Sequence, residues 1–172
     1  MLIFIMTFVI TGTLERNGLK QAAAALMAKF KGATAGLVIA AYGVFRLIFA
    51  AFNVGFGGVA GFVRPVIMPM AQAAVEEDGQ PIAEEQLEQI KGMAAGMENV
   101  TWFFGQVLFV GGSGGLLVQS TLANLGYNIE LIDIAATEVP IAVIATLVAI
   151  VYYQIIDKTL MRKYHMRRAP AT

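Results

Sequence analysis

The chain has 172 residues, 58% of them hydrophobic and 14% charged, with 18 glycines, no cysteine and a mean hydropathy of +0.69. A soluble domain carries roughly 45–50% apolar and about 25% charged residues, so the composition is that of an integral membrane protein; at about 20 residues per spanning helix, it holds only a handful of crossings. Twelve basic residues balanced by twelve acidic ones argue against nucleic acid as a partner, and the lack of cysteine excludes disulfide frameworks, iron–sulfur clusters and thiolate zinc sites.

Residues 1–14 bear no charge but fall about six residues short of a span, and they read as the end of a transmembrane helix. No basic n-region precedes them and no small-residue cleavage site ends them, so they are not expected to act as a signal peptide. Residues 17–31 read as an interfacial helix. Leu19, Ala22, Ala23, Leu26, Met27 and Phe30 share one face, with Lys20, Lys29 and Lys31 off it, which suits a helix lying on an anionic leaflet; a linker helix packed on the protein itself is the alternative.

Residues 33–73 are too long for one crossing and barely long enough for two. They read as a re-entrant hairpin that turns at Asn53-Val54-Gly55-Phe56-Gly57-Gly58, where glycine permits tight backbone geometry. Arg46 lies about midway along the first arm. Arg64-Pro65 and Pro69 lie on the returning arm, where proline is expected to kink a helix.

Residues 81–97 are predicted to form a cytoplasmic helix, with Pro81 at its first position, Glu84 and Glu85 in its first turn, and Leu87, Ile90, Met93 or Ala94, and Met97 in register. Residues 99–125 read as a transmembrane helix broken by Gly111-Gly112-Ser113-Gly114-Gly115. Residues 139–157 read as a final transmembrane helix with Tyr152 and Tyr153 near the interface. A basic cytoplasmic tail, 158–172, carries Lys158, Arg162, Lys163, Arg167 and Arg168.

The placement of Lys and Arg sets the topology, because short cytoplasmic loops retain them. A single crossing by each of the last three apolar stretches would place Arg16, Lys20, Lys29 and Lys31 outside. A hairpin that enters and leaves on one side instead puts residues 15–31, 74–98 and 158–172 in the cytoplasm and leaves 126–138, which has no Lys or Arg, as the external loop.

Two glycine-rich interruptions at membrane depth bear on function. Non-helical backbone in a bilayer is tolerated only where it is buried in protein or lines a cavity, and secondary transporters place their sites at such breaks, where helix N-termini face anionic groups. Asn53, Gly55, Gly57 and Gly58 form the candidate hairpin tip, and Gln106, Gly112, Ser113 and Gly114 the candidate broken-helix wall. Arg46 and Arg64 are candidates for a charge role, with snorkelling or helix-end neutralisation as the alternative for Arg46. The competing explanation for the glycines is close helix packing. No catalytic constellation and no metal-ligand cluster is evident, so an enzyme is not expected.

Four motifs resemble a known family. They are Gly12-Thr13-Leu14-Glu15-Arg16-Asn17-Gly18-Leu19-Lys20, Ala33-Thr34-Ala35-Gly36, Val63-Arg64-Pro65-Val66-Ile67-Met68-Pro69-Met70-Ala71, and Glu98-Asn99-Val100-Thr101-Trp102-Phe103-Phe104-Gly105-Gln106. In this order they resemble the bacterial membrane protein family called domain of unknown function 969. The resemblance implies one subunit of a two-component 5-oxoproline (pyroglutamate) transporter with a separately encoded membrane partner, akin to the ion-transporter superfamily. Members carry further membrane segments ahead of the first motif, so a shortened N-terminus is expected here. Where members carry polar residues after the Gly-Gly pair, this chain has Val59, Ala60 and Gly61, a difference that bears on the substrate.

The expectation is therefore an all-α integral membrane protein resembling one half of an inverted-repeat secondary transporter, multi-pass in the bacterial inner membrane with its C-terminus cytoplasmic. Its expected partners are the lipid bilayer, a second membrane subunit and a small carboxylate such as 5-oxoproline. No cofactor is expected, and a sodium ion or proton as coupling ion is left open. The alternatives are a non-transporting scaffold or accessory subunit, and a transporter half for another organic anion.

Overall fold

The computed structural model describes residues 34–76 and 82–168, with side chains described as far as Tyr164. The expected helix end at 1–14 and interfacial helix at 17–31 lie outside the described residues. The described residues are all-helical, with no strand among them.

Helix α1 spans Ala35–Ala51 and starts at an N-cap, Thr34, whose hydroxyl accepts the Leu37 amide at 3.2 Å. A turn through Asn53, Gly57 and Gly58, all at positive φ, reverses the chain into α2. This helix opens as a π-helical stretch, Val59–Ile67, and continues as an α-helix, Met68–Ala73. The wider π geometry contains Pro65, so one proline that marks a break in the sequence is absorbed in a continuous helix. Pro69 is the second residue of the α-helical part, just past the change from π to α geometry.

Helix α3 is one element, Glu84–Gly105. This corrects the expected division into a helix ending at 97 and a span beginning at 99. Glu98 suggested a boundary because a charge seldom enters an apolar span, but it is 3% exposed and ion-paired inside the protein. A single 3-10 turn, Gln106–Leu108, leads to the break, and α4, Ser113–Asn124, leaves it at 49° to α3.

Helix α5, Leu131–Arg168, exceeds the expected 139–157 in both directions. At its start Asp133 occupies the first turn, where a carboxylate offsets the positive helix end, so much of the expected loop 126–138 is helical. At its end Asp157, Leu160 and Tyr164 are buried at helical spacing, which carries the helix on through the supposed tail. The stretch Leu131–Tyr164 is long and apolar enough to cross a membrane.

Helices α1, α3 and α5 pack against one another pairwise, and small residues set the crossings. A Cβ on Gly43 would strike Met97, and one on Gly105 would lie 2.5 Å from the Ala50 Cβ, so α1 and α3 run in the same direction. Gly96 receives the Tyr153 hydroxyl and Gly36 the Asp157 carboxylate, which brings α5 back antiparallel. The starts of α1 and α3 and the end of α5 therefore share one end of the bundle, where Lys163 and Tyr164 meet Glu85 at 2.7 and 2.8 Å. Helix α2 returns along α3 to that same end, since Val59 and Gln72 share a groove with Ala95 and Glu88. The hairpin thus enters and leaves at one end, with its tip beside the helix break.

Gly92 contrasts with these crossings, because a Cβ there meets nothing within 4 Å. Gly92→Ala in mid-helix is expected to raise stability by about 0.5–1 kcal/mol, read from denaturant unfolding of the purified chain.

Candidate functional site

The tip is built around aromatic side chains. Phe56 is fully buried and its ring lies 5.5, 5.3 and 4.9 Å from those of Phe45, Phe49 and Phe62. These contacts fix a turn that has little hydrogen bonding of its own beyond the Asn53 and Val54 amides, which bond the Ala50 and Phe49 carbonyls at 2.8 and 3.0 Å. Asn53 adopts φ 56°, a left-handed conformation that asparagine tolerates better than most residues.

Behind the tip lies a buried polar cluster. The Arg46 guanidinium donates through Nε to Glu98 Oε2 at 2.9 Å and through Nη1 to the Val54 carbonyl at 3.1 Å. It also stands 4.3 Å from the centroid of the Trp102 ring and 5.6 Å from that of Phe56, within cation–π range. The Tyr42 hydroxyl donates to the same Glu98 oxygen. Arg46 is 2% exposed, so it does not snorkel; its charge is neutralised in place. Arg64, by contrast, is exposed and has no ion-pair partner among the described residues. It lines an open groove between α2 and α3 of about 720 Å³ and is not among the residues that line the cavity at the tip.

In front of the tip is a cavity of about 410 Å³ lined by Asn53, Trp102, Gln106, Val107, Phe109 and the run Gly111–Gly115. Five of the sequence-predicted residues meet here: Asn53 from the tip, and Gln106, Gly112, Ser113 and Gly114 from the break. Gly55, Gly57 and Gly58 do not line it. Gly57 and Gly58, at φ 78° and 63°, shape the turn instead, and Gly55 has open space around it.

Helix α4 begins at this cavity with no side-chain cap. Leu116 closes the first backbone bond, to Gly112 at 3.0 Å, so the amides of Ser113, Gly114 and Gly115 have no backbone acceptor among the described residues. Such a group of free N–H donors at a positive helix end is suited to an anion. The Gln106 side chain donates to the Phe103 carbonyl at 3.3 Å, which leaves its own carbonyl free to accept. The cavity therefore offers backbone donors, one asparagine amide, one acceptor and an indole wall, which suits binding rather than covalent chemistry.

Sequence reasoning missed Trp102, Val107 and Phe109 in the cavity wall, placed Gly111 and Gly115 in the break but not in the site, and singled out Arg46 without its partners Tyr42 and Glu98. A usable signal for the cluster existed: Arg46 and Glu98 are ionisable residues bordering or within long apolar stretches, and such residues pair with one another when buried.

No curated protein and no solved structure matches the chain. The family model described as protein of unknown function (DUF969) matches residues 1–161, nearly the whole length and including all four motifs, and the chain belongs to that family.

Proposed function

We propose that this protein is one membrane subunit of a secondary transporter for a small carboxylate, 5-oxoproline in the first instance, working with a second membrane subunit in the bacterial inner membrane. The observation that carries the reading is the meeting of the hairpin tip and the broken helix at one cavity, with the uncapped end of α4 facing into it. Its volume, about 410 Å³, lies in the roughly 300–1,000 Å³ range of small-molecule sites. A carboxylate accepts from the α4 amides and from Asn53, while a ring amide such as that of 5-oxoproline donates to Gln106.

The glycines of the break support a binding role over a packing one. Those at the helix crossings leave no room for a Cβ, but a Cβ on Gly114 would meet only Val107, at 3.9 Å, and one on Gly115 only Leu131, at 3.7 Å, both ordinary contact distances. Membrane placement draws support from α5 and from the exposed apolar side chains along it, including Ile144, Leu147, Val148, Val151 and Ile155, a surface too apolar for water. The shared end of α1, α3 and α5 is the cytoplasmic one in this reading, with the turn at 125–130 outside.

The test is uptake of labelled 5-oxoproline by proteoliposomes holding this chain and its partner subunit. Gly114→Trp fills the cavity mouth and is expected to reduce uptake at least tenfold, about 1.4 kcal/mol or more of lost binding or transition-state stabilisation. Unchanged uptake would instead favour an accessory scaffold, and uptake of a different organic anion by the unaltered pair would reassign the substrate.

A further inference from the structure

The Arg46 guanidinium lies one layer behind the cavity and reaches its tip and its α3 side. Through Nη1 it holds the Val54 carbonyl, the residue after Asn53 in the tip, and its face lies against Trp102 on α3. Its Nε is spent on Glu98, whose orientation is fixed by the Tyr42 hydroxyl. The second Glu98 oxygen faces the start of the returning arm, 4.0 Å from where a Gly58 Cβ would stand. The first arm of the hairpin thus binds one carboxylate on α3 beside the start of the returning arm, and a single cation ties the tip to α3.

We propose that Arg46 is the positioning residue of the cavity: paired with Glu98, it latches the hairpin tip to α3 and thereby sets the separation of Asn53 from the broken-helix wall. The geometry separates this role from general stabilisation. Arg46 touches the tip and α3 but not α4, so loosening the latch frees the tip and leaves the Ser113–Gly115 side in place. Lysine cannot substitute fully, because one ammonium does not span the Glu98 carboxylate and the Val54 carbonyl as a planar fork does. The inference deepens the transport reading and rests on it for the consequence in uptake, but its test is read without substrate.

The chain contains no cysteine, so an introduced thiol reports alone. Val54→Cys places one on the tip, at a side chain that is 4% exposed and so reacts only when the tip opens, and Gly114→Cys places one on the broken-helix wall. Each is labelled in membranes with a charged, water-soluble maleimide, in the otherwise native chain and in three backgrounds. In Arg46→Gln/Glu98→Gln, which removes both charges together, labelling at Val54→Cys is expected to accelerate roughly tenfold, the loss of one charged hydrogen bond from the closed state, with Gly114→Cys unchanged. Arg46→Lys is expected to fall between native and double variant at the tip. Tyr42→Phe, which keeps the ring, gives a smaller acceleration of the same kind. Equal acceleration at both reporters would show a merely structural role, and a native tip rate in folded Arg46→Lys and in the double variant would overturn the latch. Should the double variant fail to fold, Arg46→Lys and Tyr42→Phe decide in the same way. Absence of 5-oxoproline uptake leaves this result standing and counts only against the substrate.

Discussion

Replacing Arg46 with methionine while Glu98 remains is expected to destabilise the protein by about 3–5 kcal/mol, because a carboxylate is then left buried without its counter-ion. Glu98 is 3% exposed, and its remaining partner, the Tyr42 hydroxyl, supplies a dipole and no charge. The Val54 carbonyl loses its donor as well. Glu98→Leu with Arg46 retained is expected to cost a similar amount, now with an unpaired guanidinium between Trp102 and Phe56. The double replacement, Arg46→Met/Glu98→Leu, is expected to cost much less than the sum of the two, because the interior no longer holds any charge and the volume is approximately kept. Unfolding of the purified chain in detergent by denaturant, run as a double-mutant cycle, checks this. Additive losses would mean that the two side chains do not interact, contrary to their 2.9 Å contact.

The same pair shows where sequence reasoning succeeds and where it stops. The hairpin was legible because Asn53 to Gly58 concentrate residues that accept positive φ in an otherwise uninterrupted apolar run, and the structure turns there at Asn53, Gly57 and Gly58. The break was legible from Gly111 to Gly115, although it falls slightly earlier, before Ser113, because three of those residues serve as the first turn of α4. Hydropathy misread Glu98. Charge along a chain is a one-dimensional record, and whether a carboxylate ends a helix or is neutralised within it depends on a partner 52 residues away. The ends of α5 escaped for a related reason. Asp133 and Lys158 look like loop or tail residues by polarity alone, yet burial of Ala135 near the start and of Leu160 and Tyr164 near the end carries the helix through both. Trp102 was visible within a family motif, but only the fold shows that its ring separates a buried cation from the cavity.

Gly61→Ala is expected to cost about 1–3 kcal/mol, the usual range for forcing an extra methyl into a packed interior, and more than Gly43→Ala, although the Cβ at position 43 comes even closer to a neighbour. The difference lies in what is struck. At Gly43 it is the thioether of Met97, an unbranched, flexible side chain that changes rotamer to make room. At Gly61 it is the Phe56 carbonyl oxygen, at 2.6 Å, and backbone has no rotamer to change. Phe56 cannot retreat, because its ring is fully buried among Phe45, Phe49 and Phe62, and Gly61 is itself held by its amide bond to the Gly57 carbonyl at 2.9 Å. The strain must therefore pass into residues 53–58, which move the Asn53 side of the cavity. Denaturant unfolding of Gly61→Ala and Gly43→Ala measures the energetic order, and maleimide labelling at Val54→Cys in each background measures the displacement. Faster labelling with Gly61→Ala alone is the expected outcome. The reverse order of stabilities would mean that the tip backbone yields more easily than the Met97 side chain, and that the aromatic cluster does not fix the turn.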